Sequence, residues 1–223
     1  MKNRTKGLLA LILVLALIGG LTACGNSGGS VAMTGGWNMP IQNAVELPKD
    51  VKAGFEKVAD KELVPVALIA QQVVSGTNDM ILCRKGNEYR MITLYRDLQG
   101  TSSITNDVPF VLTDYTNGGD KLQTTPLAGG WHTPTDLTSI PLPDDAKTAF
   151  KNASLGFTGN NIESMALLGT QVVSGMNYAI LCRVTPEVEN AVSSVQVITI
   201  YSDPQKSASI TAFSPVDPKK FTK

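Results

Sequence analysis

The sequence is poor in the residues from which catalytic and metal centres are built. Among its 223 residues there is one histidine, His132, and there are only three cysteines. No cysteine and histidine stand at the spacing of metal ligands, and no glycine-rich loop opens a helix after a strand. These absences predict a protein that is not an enzyme, has no catalytic residues and requires neither a metal nor another cofactor.

The chain also lacks a concentrated basic segment. Lysine and arginine together number 19 and are balanced by 19 aspartates and glutamates. Binding to nucleic acid depends on a dense basic face that neutralises phosphates, and no cluster of lysine and arginine provides one. Nucleic acid is therefore not an expected partner.

A long apolar run is found only at the N-terminus. Lys2, Arg4 and Lys6 precede an apolar run over residues 8–18. Such a run is too short for a comfortable membrane span and is typical of an export signal. We predict that residues 1–23 are a cleaved signal peptide. Its removal would leave three more acidic than basic residues, because the only charged residues in this segment are the three basic ones.

The segment Leu21-Thr22-Ala23-Cys24 resembles the lipobox of bacterial lipoproteins. The resemblance implies cleavage before Cys24 and attachment of a lipid to this cysteine. An ordinary cleaved signal followed by a chance cysteine is the alternative. A polar, glycine-rich tether over residues 24–32 favours the lipobox, because it can hold a folded chain away from the lipid bilayer. The expected location is the extracytoplasmic face of the cell membrane, with the Cys24 lipid as the anchor.

A five-residue sequence occurs twice and organises the rest of the chain. Gln72-Val73-Val74-Ser75-Gly76 returns as Gln171-Val172-Val173-Ser174-Gly175. Both copies follow an apolar, β-branched run. Glycine is the residue that a tight hairpin needs where φ is positive, and serine is a good turn neighbour, so each copy is predicted to form the tip of a β-hairpin. Other segments recur in the same order, among them Gly35-Gly36-Trp37 with Gly129-Gly130-Trp131.

The repetition predicts two domains, over residues 33–113 and 127–223, joined by a linker over residues 114–126. Each copy reads as one strand, a helix and then four strands. Apolar residues at helical spacing mark the two helices: Val51, Phe55 and Val58, then Ala146, Ala149, Phe150 and Ala153. The expected class is α+β, with each helix packed on a curved antiparallel sheet of four to five strands.

The two cysteines outside the N-terminal segment occupy equivalent places in the repeats. An exported setting permits a disulfide between Cys83 and Cys182. Strand alternation places Cys83 on the face of Ile81 and Cys182 on the face of Ile180, which favours two buried, separate thiols. Both interpretations stay open on the sequence.

The glycine pair, the single helix, the repeated hairpin and the Asn177-Tyr178 continuation together resemble the cystatins and stefins. The resemblance implies two cystatin-like domains, each with a curved sheet wrapped around a helix. In that family three segments form an apolar wedge that fills the cleft of papain-like cysteine peptidases without presenting a scissile bond. The resemblance therefore implies that this chain inhibits such peptidases.

Three segments of each repeat are implied to contact the peptidase: the glycine pair, the first hairpin and the second hairpin. They correspond to Gly35, Gly36, Gln72, Val73, Val74, Ser75, Gly76 and Leu98, and to Gly129, Gly130, Gln171, Val172, Val173, Ser174, Gly175 and Pro204. Neither second hairpin carries the tryptophan found in many cystatins, an aromatic anchor of the kind that dominates interface energies. Tyr178 matches the family whereas Asp79 stands at its place in the first copy, so the second repeat is the closer relative.

A second function stays open beside inhibition. The same edge, or a face of the sheet, could serve a non-inhibitory binding or scaffold module that recognises another extracellular protein or a glycan, because a fold does not determine a function. The intact hairpin valines favour the inhibitor, and the missing tryptophan favours the binding module.

The residues after the glycine pairs are expected to be structural. Trp37 and Trp131 are predicted to be core or interface residues at the start of a strand, with an aromatic contact at the wedge as the alternative. His132 corresponds to Asn38 in the first copy, and we expect it to be a surface residue at a strand end.

Overall fold

The computed structural model describes residues 35–40, 46–116, 129–134 and 142–222. The predicted signal peptide, the tether and the lipid attachment at Cys24 lie outside the described residues, as does most of the predicted linker. No helix in the described ranges is long and apolar enough to cross a membrane.

The first repeat, called repeat 1 below, forms a five-stranded antiparallel sheet in the order β1-β2-β3-β4-β5. Its elements are β1 Trp37–Asn38, α1 Lys49–Val58, β2 Leu63–Val73, β3 Gly76–Lys85, β4 Glu88–Asp97, β5 Ser102–Phe110 and a 3-10 helix Leu112–Tyr115. The predicted hairpin tip at Ser75 is confirmed, since it joins β2 to β3.

Repeat 2 has the same order of elements and a sheet in the order β6-β7-β8-β9-β10. Its elements are β6 Trp131–His132, α2 Asp144–Ser154, β7 Asn160–Val172, β8 Met176–Pro186, β9 Ser194–Ser202, β10 Ala208–Pro215 and a 3-10 helix Pro218–Phe221. Here Ser174 forms the predicted tip between β7 and β8.

Each helix begins directly after a proline and turns an apolar stripe toward its sheet. Pro48 and Pro143 occupy the N-cap positions, where the fixed proline φ is compatible with a helix start. In α1, Val51 and Phe55 are buried as the periodicity predicted, whereas Val58 is exposed at the last position of the helix. The buried stripe is therefore shorter than the sequence pattern.

Both faces are covered at the centre of each sheet, whereas every second residue of the edge strands β5 and β10 is exposed. In β3, Ile81 and Cys83 alternate with Met80 and Leu82, and all four are fully buried. Since neighbouring strand residues point to opposite faces, neither face of β3 meets solvent at these positions. A single core cluster joins the two repeats, so the face away from the helix packs toward the other sheet. Its members from the two repeats include Leu68, Leu82, Leu168 and Leu181.

The predicted α+β class, with two cystatin-like domains each built from one helix on a four- to five-stranded sheet, is wrong. The described chain is mostly β: two curled five-stranded antiparallel sheets, each with one short helix of 10 or 11 residues. The physical reason is that each sheet buries its second face against the other sheet. The main layers of the core are therefore two sheets, and the helices are minor additions.

The far turn of repeat 1 lies beside the middle of repeat 2. The turn between β3 and β4 contains Asn87, whose carbonyl oxygen accepts a hydrogen bond from Thr133 Oγ1 at 3.3 Å. Tyr89, at the start of β4, donates from its hydroxyl to the Leu168 carbonyl oxygen at 2.8 Å. Leu168 lies six residues before the hairpin tip at Ser174, and Thr133 directly follows His132, which pairs with Thr170.

The reverse contact has the same form. Residues 192–194, at the end of the β8–β9 connection and the start of β9, line a cavity together with Trp37 and Ile69 of repeat 1. Each sheet thus places its far turn beside the middle of the other. The two sheets are therefore packed in opposite orientations, so the hairpin tip of one repeat points the opposite way from the hairpin tip of the other. The tips at Ser75 and Ser174 therefore lie at opposite ends of the molecule.

The two thiols are free and buried, which confirms the expectation of separate cysteines. Cys83 lies on the same side of β3 as Asp79, and this is the helix side because Arg96 binds both Asp79 and Asp50 of α1. Cys182 belongs to the core cluster beneath α2. Both sheets separate the two sulfur atoms, so a disulfide cannot form. Burial raises the pKa of both thiols well above the usual value of cysteine.

Candidate binding edges

The glycine pair of each repeat lies against the first hairpin. In repeat 1 the Gly35 N–H donates to the Val73 carbonyl oxygen at 3.0 Å. In repeat 2 the Gly129 N–H donates to the Val172 carbonyl oxygen, also at 3.0 Å. The glycine pair and the short strand after it, which we call the leading segment, therefore run along β2 in repeat 1 and β7 in repeat 2. The first glycine lies beside the hairpin tip. Gly36 is half-buried and Gly130 is buried, just behind these contacts.

The second hairpin of each repeat lies at the same end. Gly76 is paired with Asp97, and Met176 is paired with Ser202, so the β4–β5 and β9–β10 turns flank the first hairpins. We call the three segments of repeat 1 edge 1, made of residues 35–36, 72–76 and 97–100. Edge 2 is made of residues 129–130, 171–175 and 203–206.

Apolar side chains are exposed at both edges. The four valines of the repeated hairpins are between 40% and 44% exposed: Val73, Val74, Val172 and Val173. In the second hairpins Leu98 is 83% exposed and Pro204 is exposed. Ser75 and Ser174 stand exposed at the two tips. Each edge thus presents a small apolar surface built from two turns.

A glutamine holds each leading segment to its hairpin. The Gln72 side-chain amide donates to the Gly35 carbonyl oxygen at 2.9 Å, and its oxygen accepts from Asn78 Nδ2 at 2.8 Å. The same two bonds, each 2.7 Å long, link Gln171 to Gly129 and Asn177. Gln72 and Gln171 therefore position the edge, and the two asparagines that hold them were not among the predicted site residues. Their recurrence two places after each motif is the signal that could have found them.

The last residue of each motif is glycine for a reason other than the predicted one. Gly76 and Gly175 do not have positive φ. A Cβ at Gly76 would overlap the Arg96 carbonyl oxygen, and one at Gly175 would overlap the Ser202 carbonyl oxygen. The missing side chain allows the neighbouring strand to approach. The prediction that these glycines relieve a positive φ is wrong.

Positive φ occurs in the neighbouring segments of the edges. Gly35 and Gly129 have φ of +83° and +97°, and the second-hairpin turns place Gly100 at +84° and Lys206 at +65°. The turn of edge 1 is fixed by Asp97, whose Oδ1 accepts from the N–H groups of residues 99 and 101 at 2.9 and 2.7 Å. Both features restrict the backbone of the edge.

The two tryptophans differ in burial. Trp131 is completely buried, which confirms the prediction of a core residue, and Trp37 is half-buried and packs against the core. His132 is half-buried rather than a surface residue. Within the described ranges no group of three or more histidine, cysteine, aspartate or glutamate residues could hold a metal ion.

Repeat 1 carries a charged network behind edge 1. Arg96 Nε lies 2.5 Å from Asp79 Oδ2, and Arg96 Nη1 lies 2.6 Å from Asp50 Oδ2 at the start of α1. Asp79 is completely buried. Its hydrogen bond raises the pKa of the Arg96 guanidinium, which keeps this guanidinium charged. Tyr178 and Ser202 replace Asp79 and Arg96 in repeat 2.

Comparisons with known proteins identify no relative. No family model matches the chain, no curated protein matches it, and no solved structure matches it. The resemblance to cystatins and stefins therefore stays a prediction.

Proposed function

We propose that this chain is an extracytoplasmic protein, anchored to the cell membrane through a lipid on Cys24, that inhibits papain-like cysteine peptidases. Edge 1 or edge 2 would occupy the active-site cleft as a wedge. The observation that carries the proposal is the assembly of a glycine pair, two exposed valines and a second hairpin at one end of each repeat.

The rigidity of the edges suits a wedge. A surface that is already ordered loses little conformational entropy on binding, so more of its contact energy appears as affinity. The glutamine bonds at Gln72 and Gln171 order the leading segment before any partner arrives. Because hairpin tips enter the cleft, the chain would present no extended peptide bond to the catalytic thiolate.

The anchor would make the two edges unequal. Gly35 of edge 1 follows Cys24 by 11 residues, so a fully extended chain spans at most ~40 Å between them. Edge 2 lies at the opposite end of the molecule. We therefore infer that edge 2 points away from the membrane and is the edge that meets a peptidase in the anchored protein.

The test is a titration of papain and of cathepsins with the chain from Gly25 onward, which keeps every described residue. We expect inhibition, and we expect the double substitution Val74→Asp and Val173→Asp to weaken it by at least about tenfold, because buried charge at an apolar contact is costly. Val188→Asp is the matched control, since Val188 is 68% exposed in the loop after β8, away from both edges. Lack of inhibition at micromolar concentration would overturn the proposed function.

A non-inhibitory binding module is the second candidate. It is favoured by the second hairpins, where Leu98 and Pro204 stand and no aromatic anchor is present. Binding of another extracellular protein that the same two valine substitutions abolish, together with unchanged peptidase activity, would support this candidate over the first.

A further inference from the structure

A cavity of about 310 Å³ opens beside edge 2 and contacts Gly175 and Pro204. Helix α2 forms one wall, and β8 and the turn after β9 form the others. The residues that matter for its chemistry are Asp145, Ala149, Tyr178, Ser202, Asp203 and Lys206. The volume lies at the small end of the range of ligand sites.

The equivalent place in repeat 1 is occupied by the chain's own arginine. Arg96 corresponds to Ser202, and its guanidinium binds Asp79 and Asp50 at 2.5 and 2.6 Å. Its aliphatic stem passes α1 at Gly54, where a Cβ would come within 3.0 Å of Arg96 Cδ. The space between helix and sheet in repeat 1 is thus shaped around an arginine side chain.

Repeat 2 has a cavity at the same place, but no side chain like that of Arg96 fills it. Ser202 is too short to reach α2, and Ala149 stands where Gly54 makes room in repeat 1. Asp145 takes the place of Asp50 at the start of the helix. Tyr178 replaces the buried Asp79 and brings an aromatic ring to the wall of the cavity.

The groups that line the cavity favour a planar cation. Two acidic residues, Asp145 and Asp203, and one basic residue, Lys206, line the cavity, so the local charge is negative. The Asp203 Oδ1 also accepts from the Ser207 N–H at 2.8 Å. Burial and then the charge of Asp145 raise the pKa of Tyr178, consistent with a carboxylate close to this ring. A guanidinium can stack on an aromatic ring and bind a carboxylate through two N–H groups, which an ammonium cannot do equally well.

We propose that this cavity binds the arginine side chain of a protein that docks on edge 2. The guanidinium would lie against Tyr178 and pair with Asp145, as Arg96 pairs with Asp50 in repeat 1. The proposal deepens the proposed function by stating one feature of the partner, but it does not require that the partner be a peptidase.

The test is an NMR titration of the isotope-labelled chain from Gly25 onward with N-acetyl-arginine amide. We expect saturable shifts of the amides of Gly175, Met176 and Tyr178 at millimolar ligand, with the equivalent amides of repeat 1 unchanged as an internal reference. N-acetyl-lysine amide should bind more weakly. Shifts that fail to saturate, or that are equal in the two repeats, would overturn the proposal.

Two variants sharpen this test. Ser202→Arg introduces the side chain that fills the space in repeat 1, so it should abolish binding. Asp145→Asn changes only an exposed carboxylate and should weaken binding about tenfold through loss of a charge-assisted hydrogen bond. Unchanged affinity in Asp145→Asn would contradict the assigned site even if Ser202→Arg fails to fold. The ligand is a free amino-acid derivative, so its binding can be detected even if the chain inhibits no peptidase. Likewise, a failure to bind the arginine derivative would not affect the result of the inhibition test.

Discussion

At the scale of single residues, the edges depend on polar groups that serve the chain itself. Gln72 and Gln171 point back to the leading glycine segments and are held by Asn78 and Asn177. A glutamine beside two exposed valines reads in the sequence as a contact residue. The hydrogen bonds show that each glutamine also positions the backbone of the edge.

Replacing Gln171 with alanine should loosen edge 2 without disturbing the sheet. The Gly129 carbonyl oxygen would lose its side-chain partner, and the leading segment would keep the backbone bond from Gly129 to Val172 and the pairing of β6 with β7. We expect faster hydrogen exchange of the Gly129 amide in Gln171→Ala. Gln99→Ala, at an exposed turn position, is the control and should leave exchange unchanged. Equal exchange rates in all three proteins would contradict a positioning role.

Removing the guanidinium of repeat 1 should be strongly destabilising. Arg96→Met leaves the buried Asp79 carboxylate without its ion-pair partner, and such a loss typically costs about 3–5 kcal/mol. Arg90→Met is the matched control, because the Arg90–Asp107 pair is more exposed and should contribute about 0–1 kcal/mol. Urea unfolding measures both free energies. Similar losses in the two variants would argue against a special role for the buried pair.

The same network should make stability depend on pH in the acid range. Burial opposes the effect, but the hydrogen bond and charge of Arg96 outweigh it and lower the pKa of Asp50 below its ordinary value. A group whose pKa is lower in the folded state stabilises the fold above its unfolded pKa, and this stability is lost as pH falls through the folded pKa. We expect the urea concentration at the unfolding midpoint to decrease as the pH is lowered below about 4, and to decrease less in Asp50→Asn.

Asp145→Asn is the control for the pH experiment. Asp145 occupies the same position in α2 but makes no ion pair among the described residues. Its substitution should leave the acid-induced drop in the midpoint as large as in the unchanged chain. An equal reduction in both variants would show that the carboxylate acts through the helix start rather than through Arg96.

At the scale of elements, the hairpins are tighter than their turn residues suggest. Gly76 and Gly175 lie where the neighbouring strand passes closest, and a methyl group at either would overlap a backbone carbonyl oxygen. The helices, in contrast, are less prominent than the periodicity suggested. A sequence pattern reports which face of a helix is apolar but not what fraction of the core the helix covers.

Alanine at Gly175 should disturb the hairpin pairing of repeat 2. The added Cβ requires β8 and β9 to separate, and overpacking of this kind costs typically about 1–3 kcal/mol. Gly156→Ala is the control, because Gly156 follows α2, does not have positive φ and has open space around it. We expect its effect to stay within about 0.5 kcal/mol. Equal unfolding midpoints for the two variants would contradict the close approach.

At the scale of the whole molecule, the opposed packing of the repeats separates the two edges. The far turn of each sheet lies beside the middle of the other, so the tips at Ser75 and Ser174 are at opposite ends. Two ligands on the two edges would therefore not collide with each other.

If the proposed function holds, the chain free in solution should bind two peptidase molecules. Light scattering of a mixture with excess inactivated papain measures the mass of the complex. Val74→Asp or Val173→Asp alone should reduce the stoichiometry to one. A single bound peptidase with the unchanged chain would show that only one edge is competent.

Anchoring to the membrane should make the two edges unequal as inhibitors. On vesicles that carry the lipidated chain, we expect edge 1 to lie near the bilayer and edge 2 to face outward. We therefore expect Val173→Asp to abolish inhibition on vesicles, and Val74→Asp to leave it nearly unchanged. The opposite result would place edge 2 toward the membrane.

The sequence alone was sufficient to predict the local features. The repeated motifs located both hairpin tips, the strand order within each copy and the two apolar helix stripes, because turn chemistry and periodicity act over a few neighbouring residues. Alternation along β3 and β8 likewise favoured buried, separate positions for Cys83 and Cys182. The placement of the glycine pairs beside the hairpins came only from the resemblance.

Only the tertiary structure decided how the second face of each sheet is covered. Met80 and Leu82 show in the sequence that a face is apolar, but a helix, a partner chain or a second sheet could each bury it. The mostly β class, the opposite directions of the two edges and the cavity left by Ser202 all follow from packing between residues about a hundred positions apart. Such contacts depend on shape in three dimensions and leave no periodic signal along the chain.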